Sequence, residues 1–271
     1  MEFRTIVDIQ DPGFRIGPCE EILFVGSCFA DSIGTRFREE GFPVTINPFG
    51  TMYNPASILH TIQRMGDAPF TTAFLTLGTN HVYRLKETGE IVDNCQKRPQ
   101  SLFTEEELSV DACADYLQQT ITILRQRNPQ IRIVLTVSPI RYRKYGYHGS
   151  QLSKATLLLA IEKVRGGLAY FPAYELLNDE LRDYRFYAPD MLHPSAQAVD
   201  YIWERLVEAY FSPEAKAFLD EWRPVRQAFG HKPFYPDSPE YSRFLEQSRK
   251  RFLALKEKYP SLKAFDKQIY T

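Results

Sequence analysis

The chain has 271 residues, 44% of them hydrophobic and 25% charged, with a formal net charge of −1 and a pI near 6.5. That balance belongs to an ordinary globular protein. It offers no basic surplus for a nucleic acid, and no apolar run reaches the length that spans a bilayer. The four cysteines (Cys19, Cys28, Cys95, Cys113) show no close paired spacing, and the opening MEFRTIVDIQDPGF has no apolar segment of signal-peptide length, so free thiols in a cytoplasmic protein are expected.

Five short apolar runs read, in chain order, as buried strands: EILFVG at 21–26, PVTINP at 43–48, TAFLTLGT at 72–79, IRIVLTVSP at 131–139 and LAYFPAYEL at 168–176. Amphipathic stretches at 28–40, 55–65, 105–127 and 150–166 separate most of them. Such alternation predicts a parallel sheet covered by helices on both faces. HVYRLKETGEIVDN at 81–94 breaks the alternation. Two β-prone arms about Glu87-Thr88-Gly89 predict a hairpin inserted after the third strand. Past about residue 195 the pattern is helical, in AQAVDYIWERLVEAYF, PEAKAFLDEWRPVRQAF and SPEYSRFLEQSRKRFLALKEKY, with Pro233, Pro236 and Pro239 dividing the last two. The expected organisation is an α/β domain over 1–210 and a helical extension over 211–271 packed on it, whose charged helices offer a surface for homo-oligomers.

Sites in open α/β sheets form beyond the carboxyl ends of the strands. In ILFVGSCFADSIG, at 22–34, the triplet Gly26-Ser27-Cys28 occupies a strand-to-helix junction. Two candidate nucleophiles stand side by side there. A helix N-terminus would favour a Cys28 thiolate; the alternatives are a packing role for Cys28 and a capping role for Ser27. Asp190 precedes His193 by three residues, a spacing at which the carboxylate can hold the imidazole in one tautomer. Alternatively, Asp190 or Ser195 caps the helix that follows. RYRKYGYH at 141–148 is basic and aromatic. Arg141 and Arg143 could embrace an anionic or sugar-like substrate, or the segment could be a solvated loop. His81 is close enough in sequence to Asn80 to reach a site there. Cys28, Cys95 and His193 contain no close ligand pair for zinc, so neither a metal nor an organic cofactor is expected.

GSCFA at 26–30 resembles the signature of the GSCFA-domain proteins, which are similar to the SGNH hydrolases or GDSL-like esterases. The resemblance continues through INPFGTMYNPASI (46–58), LTVSP (135–139), QLSKA (151–155) and LRDYRFYAPDMLHPSAQAVDYIW (181–203). It implies a three-layer α/β/α sandwich with a mostly parallel five-stranded sheet, of SGNH-hydrolase or flavodoxin-like type. It also implies ester-type acyl transfer on a small-molecule ester. In its register Cys28 takes the nucleophile position and Ser27 the acidic one. Gly50 matches the glycine whose N–H helps bind an oxyanion, Asn80 matches an asparagine that supplies an amide donor, and Asp190 and His193 match the orienter and base. The bland reading of Gly50 is a turn needing positive φ, and of Asn80 a turn residue before the hairpin. Two functional hypotheses follow: an SGNH-type hydrolase or acyltransferase, and a non-catalytic module that keeps the fold for ligand binding or interaction.

Overall fold

The computed structural model describes residues 1, 3–67, 69–93, 95 and 98–265, without the side chains of 263 and 264. β1 (Ile22–Gly26) is buried along its whole length, as a strand covered on both faces must be. α1 (Cys28–Glu39) follows and buries Phe29, Ile33 and Phe37 on one stripe. Then come β2 (Val44–Ile46), α2 (Pro55–Arg64), β3 (Thr72–Leu77), β4 (His81–Leu85), β5 (Ile91–Val92), β6 (Phe103–Glu107) and α3 (Val110–Arg127). β7 (Arg132–Val137), α4 (Gly146–Val164) and β8 (Ala169–Tyr170) complete the central layers, and α5 (Ala173–Glu175) runs into a π-helical turn at Leu176–Leu181. α6 (Ala196–Tyr210), α7 (Pro213–Phe229) and α8 (Pro239–Lys258) close the chain.

All five predicted runs contribute to one sheet, in the order β2-β1-β3-β7-β8, and every pair in it is parallel. Alternate side chains of its strands feed two cores. Phe24, Phe74 and Val134 join the faces of α1, α6 and α7. Leu23, Val25, Leu75, Ile133 and Leu135 join those of α2, α3 and α4. This is the expected three-layer α/β/α sandwich. Aromatic rings fill the first core, with Phe24 stacked on Phe74 at 4.8 Å and Phe37 edge-on to Trp203 at 4.7 Å. α7 and α8 belong to the same core through Phe218, Trp222, Phe252 and Leu255, and Trp222 Nε1 donates to the Glu39 carbonyl at 2.8 Å.

Two expectations need correction. The run at 168–176 pairs as a strand only over Ala169–Tyr170. Phe171 N–H adds one more bond to Leu135 O, after which Pro172 starts α5, consistent with proline's lack of a ladder donor. The stretch at 105–127 begins as strand: β6 pairs antiparallel with β4, and the helix starts only after Ser109, whose side chain caps Ala112 N–H. The predicted hairpin is present as β4 and β5, so the insertion is a three-stranded sheet, β5-β4-β6. Among the described residues no helix is long and apolar enough to cross a membrane.

Candidate active site

Gly26 ends β1 at a φ of +145°. A β-carbon there would lie 2.1 Å from the Thr76 carbonyl, so only glycine lets the chain leave the sheet at this point. The exit is fixed by a polar network. Gly26 N–H donates to Asn47 Oδ1 at 2.8 Å, Asn47 Nδ2 to Asp31 at 2.8 Å, and Thr51 Oγ1 to Asp31 at 3.1 Å.

Ser27 and Cys28 have different fates. Ser27 is fully buried. Its N–H bonds Thr76, its hydroxyl lies 3.3 Å from Thr76 Oγ1, and the same oxygen accepts Phe29 N–H as the cap of α1. Cys28 is half-buried, and its Sγ lies 3.9 Å from Tyr53 Oη. The expected lowering of the Cys28 pKa is not found. Burial pushes the thiol up, with the Asp31 charge acting in the same direction, against the hydrogen bond from Tyr53. At neutral pH the group is therefore a thiol. Its alkylation by iodoacetamide should keep accelerating above pH 9, read by peptide mass spectrometry. A plateau reached by pH 7 would contradict this.

Asp190 and His193 form a close pair, with Nδ1 2.6 Å from Asp190 Oδ2. The other carboxylate oxygen accepts the N–H groups of Leu192 and His193 at 2.9 and 3.0 Å. These bonds, the Leu192 amide first, hold the Asp190 pKa down at about 2. The helix that follows is capped by Ser195 through Ala198 N–H, so Asp190 is not needed as its cap. The loop sits at the carboxyl edge of the sheet because it is bonded to the segment after β7. Arg141 N–H donates to Leu192 O at 3.0 Å, and Arg141 Nη1 to Met191 O at 3.1 Å. Arg143 Nη2 reaches Asp190 O at 3.5 Å. Both arginines thus hold the dyad loop in place. Neither Cys28 Sγ nor Ser27 Oγ is hydrogen-bonded to His193 among the described residues.

The two expected oxyanion donors are spent elsewhere. Gly50 is an exposed turn residue at φ +97°, and its N–H donates to Asn47 O at 2.8 Å. Asn80 is buried, with Nδ2 donating to Leu108 O at 2.8 Å. It joins the start of the inserted sheet to the end of β6.

A cavity of about 510 Å³ opens between that sheet and the segment after β7; Tyr53, His81, Tyr83, Tyr142, Lys144 and Tyr145 are among its walls. His81 does reach this cavity. It stacks on Tyr145 with centroids 3.6 Å apart, and burial pulls its pKa down. The basic residue of 141–148 that enters the cavity is Lys144, bonded to Glu105 at 2.8 Å. Asp93, another wall residue, is bonded to His60 at 2.6 Å.

Three residues beside the junction lie in stretches quoted above, where spacing and register assign them no role: Tyr53 in INPFGTMYNPASI, Tyr142 in RYRKYGYH and Lys154 in QLSKA. Tyr53 touches the thiol. Tyr142 extends over Gly78, where a β-carbon would stand 2.3 Å from its Oη and 3.3 Å from Ser27 Cβ. Lys154 is 1% exposed, its Nζ donating to Gly78 O at 2.6 Å and Ser138 O at 2.8 Å, 4.9 Å from the Tyr142 ring centroid. It thereby joins the residues that end β3 and β7. The signal for Lys154 is its helical position: it lies on the buried stripe Ser150, Ser153, Leu157, Ile161 of α4, where a solvated lysine would not be placed. Among the described residues no group of three or more His, Cys, Asp or Glu side chains is placed to hold a metal ion.

A parallel sheet covered on both faces, with a thiol at its first strand–helix junction and an Asp–His pair on a loop at its carboxyl edge, defines a three-layer α/β/α protein with a candidate catalytic constellation at the carboxyl edge of its sheet. The chain belongs to the GSCFA family, whose model matches residues 21–73 and 68–206; the model for the GSCFA domain protein C-terminal domain matches 222–270. No curated protein matches the chain in sequence. Among solved structures it is similar to a Lactobacillus plantarum protein, at 12% identity over 73% of this chain and 100% of that one, with a TM-score of 0.49. It is also similar to a member of the lipolytic G-D-S-L family from Veillonella parvula, at 13% identity, 70% and 98% coverage, and a TM-score of 0.45. A third is a carbohydrate esterase family 3 protein from Talaromyces cellulolyticus, at 8% identity, 74% and 99% coverage, and a TM-score of 0.43.

Proposed function

We propose that the protein is an SGNH-type acyl-transfer enzyme, a hydrolase or acyltransferase acting on a small ester through a thioester on Cys28. The observation that carries the reading is the His193–Asp190 pair, 2.6 Å apart, at the sheet edge where α1 begins with Cys28. With Nδ1–H donated to a carboxylate, Nε2 is the basic nitrogen. It takes the proton of Sγ as sulfur attacks the acyl carbon. The S–C bond forms, the ester C–O bond breaks, and His193 returns the proton to the departing alkoxide. Water or an acceptor alcohol then attacks the thioester. Of the cavity's charged walls, Lys144 and Asp93 are already paired with Glu105 and His60, while the Arg98 guanidinium lies over the Phe103 ring.

The test is trapping with p-nitrophenyl acetate. Brief incubation should leave an acetyl group on Cys28 and none on Cys19, Cys95 or Cys113, read by peptide mass spectrometry. Cys28→Ala should lose the acetyl and the turnover together. Ser27→Ala should retain most activity and lose about 1 kcal/mol of stability, as the cap of a helix. If Ser27→Ala is the dead variant, the nucleophile is misassigned by one residue.

The second reading, a non-catalytic module, draws on the missing hydrogen bond between Cys28 and His193. Catalytic hydrogen bonds commonly tighten only in the substrate complex. No acetylation of any residue in the trapping experiment would favour the module.

A further inference from the structure

Cys28 is an odd nucleophile as it stands. Burial disfavours its thiolate, and so does Asp31, one helical turn away. Reactive thiols are commonly activated by a neighbouring cation, and none among the described residues acts on this one. What surrounds it instead is phenol. Tyr53 comes from the loop before α2 and touches the sulfur at 3.9 Å. Tyr142 comes from the segment after β7, and its hydroxyl stands at the junction itself, across Gly78 from Ser27, the residue next to Cys28. That hydroxyl is buried and has no hydrogen-bond partner among the described residues. A buried donor left without an acceptor is costly, so one kept beside a reactive group calls for a reason. The lack of a side chain on Gly78 is what makes room for it, since a β-carbon there would lie 2.3 Å from the Tyr142 oxygen and 2.9 Å from the Tyr53 carbonyl.

We propose that Tyr53 and Tyr142 are catalytic residues, a phenol pair that donates two hydrogen bonds to the Cys28 sulfur as it becomes a thiolate. The Tyr53 contact is already made, and the unspent Tyr142 donor is taken up when the charge forms. Hydrogen bonds to the charged form offset the cost of burying it. The thiol proton leaves to water, or to His193 Nε2 during turnover. Both phenols keep theirs, because burial holds Tyr53 up at about 12 and Tyr142 well above the usual phenol range. The groups facing this spot are Asp31 from the same helix, Tyr53, and Tyr142 with Lys154 4.9 Å from its ring centroid. The residue that sets the end of β3, Gly78, and the two phenols that flank it thus form one device around the sulfur.

The inference rests on Cys28 as the nucleophile, and its test uses alkylation, which proceeds whether or not the protein turns over esters. The full-length protein, Tyr53→Phe, Tyr142→Phe and the double variant are treated with iodoacetamide across pH 6 to 11, and Cys28 labelling is followed by mass spectrometry. Phenylalanine keeps each ring and removes one donor. Each single variant should move the midpoint of the pH–rate curve up by about half to one unit, a three- to tenfold slower reaction at pH 7.5. The limiting rate at high pH should be unchanged. The double variant should shift by about the sum. A midpoint unmoved in Tyr142→Phe overturns the pair, as does a rate that falls equally at every pH, which reports packing. Loss of acetyl trapping with normal alkylation shifts would instead sink the acyl-transfer reading and leave the phenol pair standing.

Discussion

His193→Ala is expected to lower turnover of p-nitrophenyl acetate by about 10³- to 10⁴-fold, the usual range for losing a general base that acts in concert with a nucleophile. The fold should not suffer. The side chain is exposed, and the backbone bonds that shape the loop, His193 N–H to Asp190 and Ala188 N–H to His193 O, survive in alanine. Asp190→Asn is the sharper variant. Its amide oxygen can still accept the Leu192 and His193 amides, so the loop keeps its turn. Its NH₂ group, however, would donate to Nδ1 and move the ring proton to Nε2, leaving no base toward the thiol. About a 10²- to 10⁴-fold loss is expected there, with the melting profile and Cys28 alkylation unchanged. Steady-state rates equal to wild type in both variants would remove the dyad from the mechanism.

The parts of this site that were legible in the sequence are the parts set by local spacing. Cys28 follows Ser27 on a junction whose apolar run and helical stripe fix where strand ends and helix begins. Asp190 and His193 lie within one turn of chain. What local spacing does not encode is who else arrives. Gly50 and Asn80 match their expected roles by neighbours in sequence, but their donors are claimed by the Asn47 and Leu108 carbonyls, partners that only the folded loop supplies. Tyr53, Tyr142 and Lys154 come from three segments that meet only because β3 and β7 are adjacent. The fold behaves the same way. β1, β3 and β7 are buried on both faces and read as apolar runs. β6 is mostly exposed and carries three glutamates, so its strand conformation comes from the β4 edge it pairs with, and nothing in its pattern announces it.

The largest stability effect is expected from Lys154. Its Nζ is enclosed, its hydrogen-bond partners among the described residues are two neutral carbonyls, and burial takes its pKa from 10.5 down to about 7. In the unfolded chain the amine stays protonated up to its ordinary pKa. Between pH 7 and 10.5 the unfolded state therefore binds more protons, and stability rises with pH by up to about 1.4 kcal/mol per unit. Below pH 7 both states are protonated and the contribution is flat. The buried thiols act oppositely. Burial holds Cys19 up at about 11 and Cys113 at about 12, so their folded forms keep protons that the unfolded chain loses from about pH 8.5, and the rise should bend over there. Lys154→Met keeps an unbranched chain of similar length and removes the charge, at the cost of leaving the Gly78 and Ser138 carbonyls without their donor. Its stability at any single pH is thus the difference of two opposing changes, but its slope is not. Urea unfolding at pH 7.0 and 8.5 should show wild type gaining about 1.5 kcal/mol and Lys154→Met gaining far less. Parallel curves for the two proteins would mean that Lys154 keeps its proton throughout, held by carbonyl dipoles strong enough to cancel its desolvation.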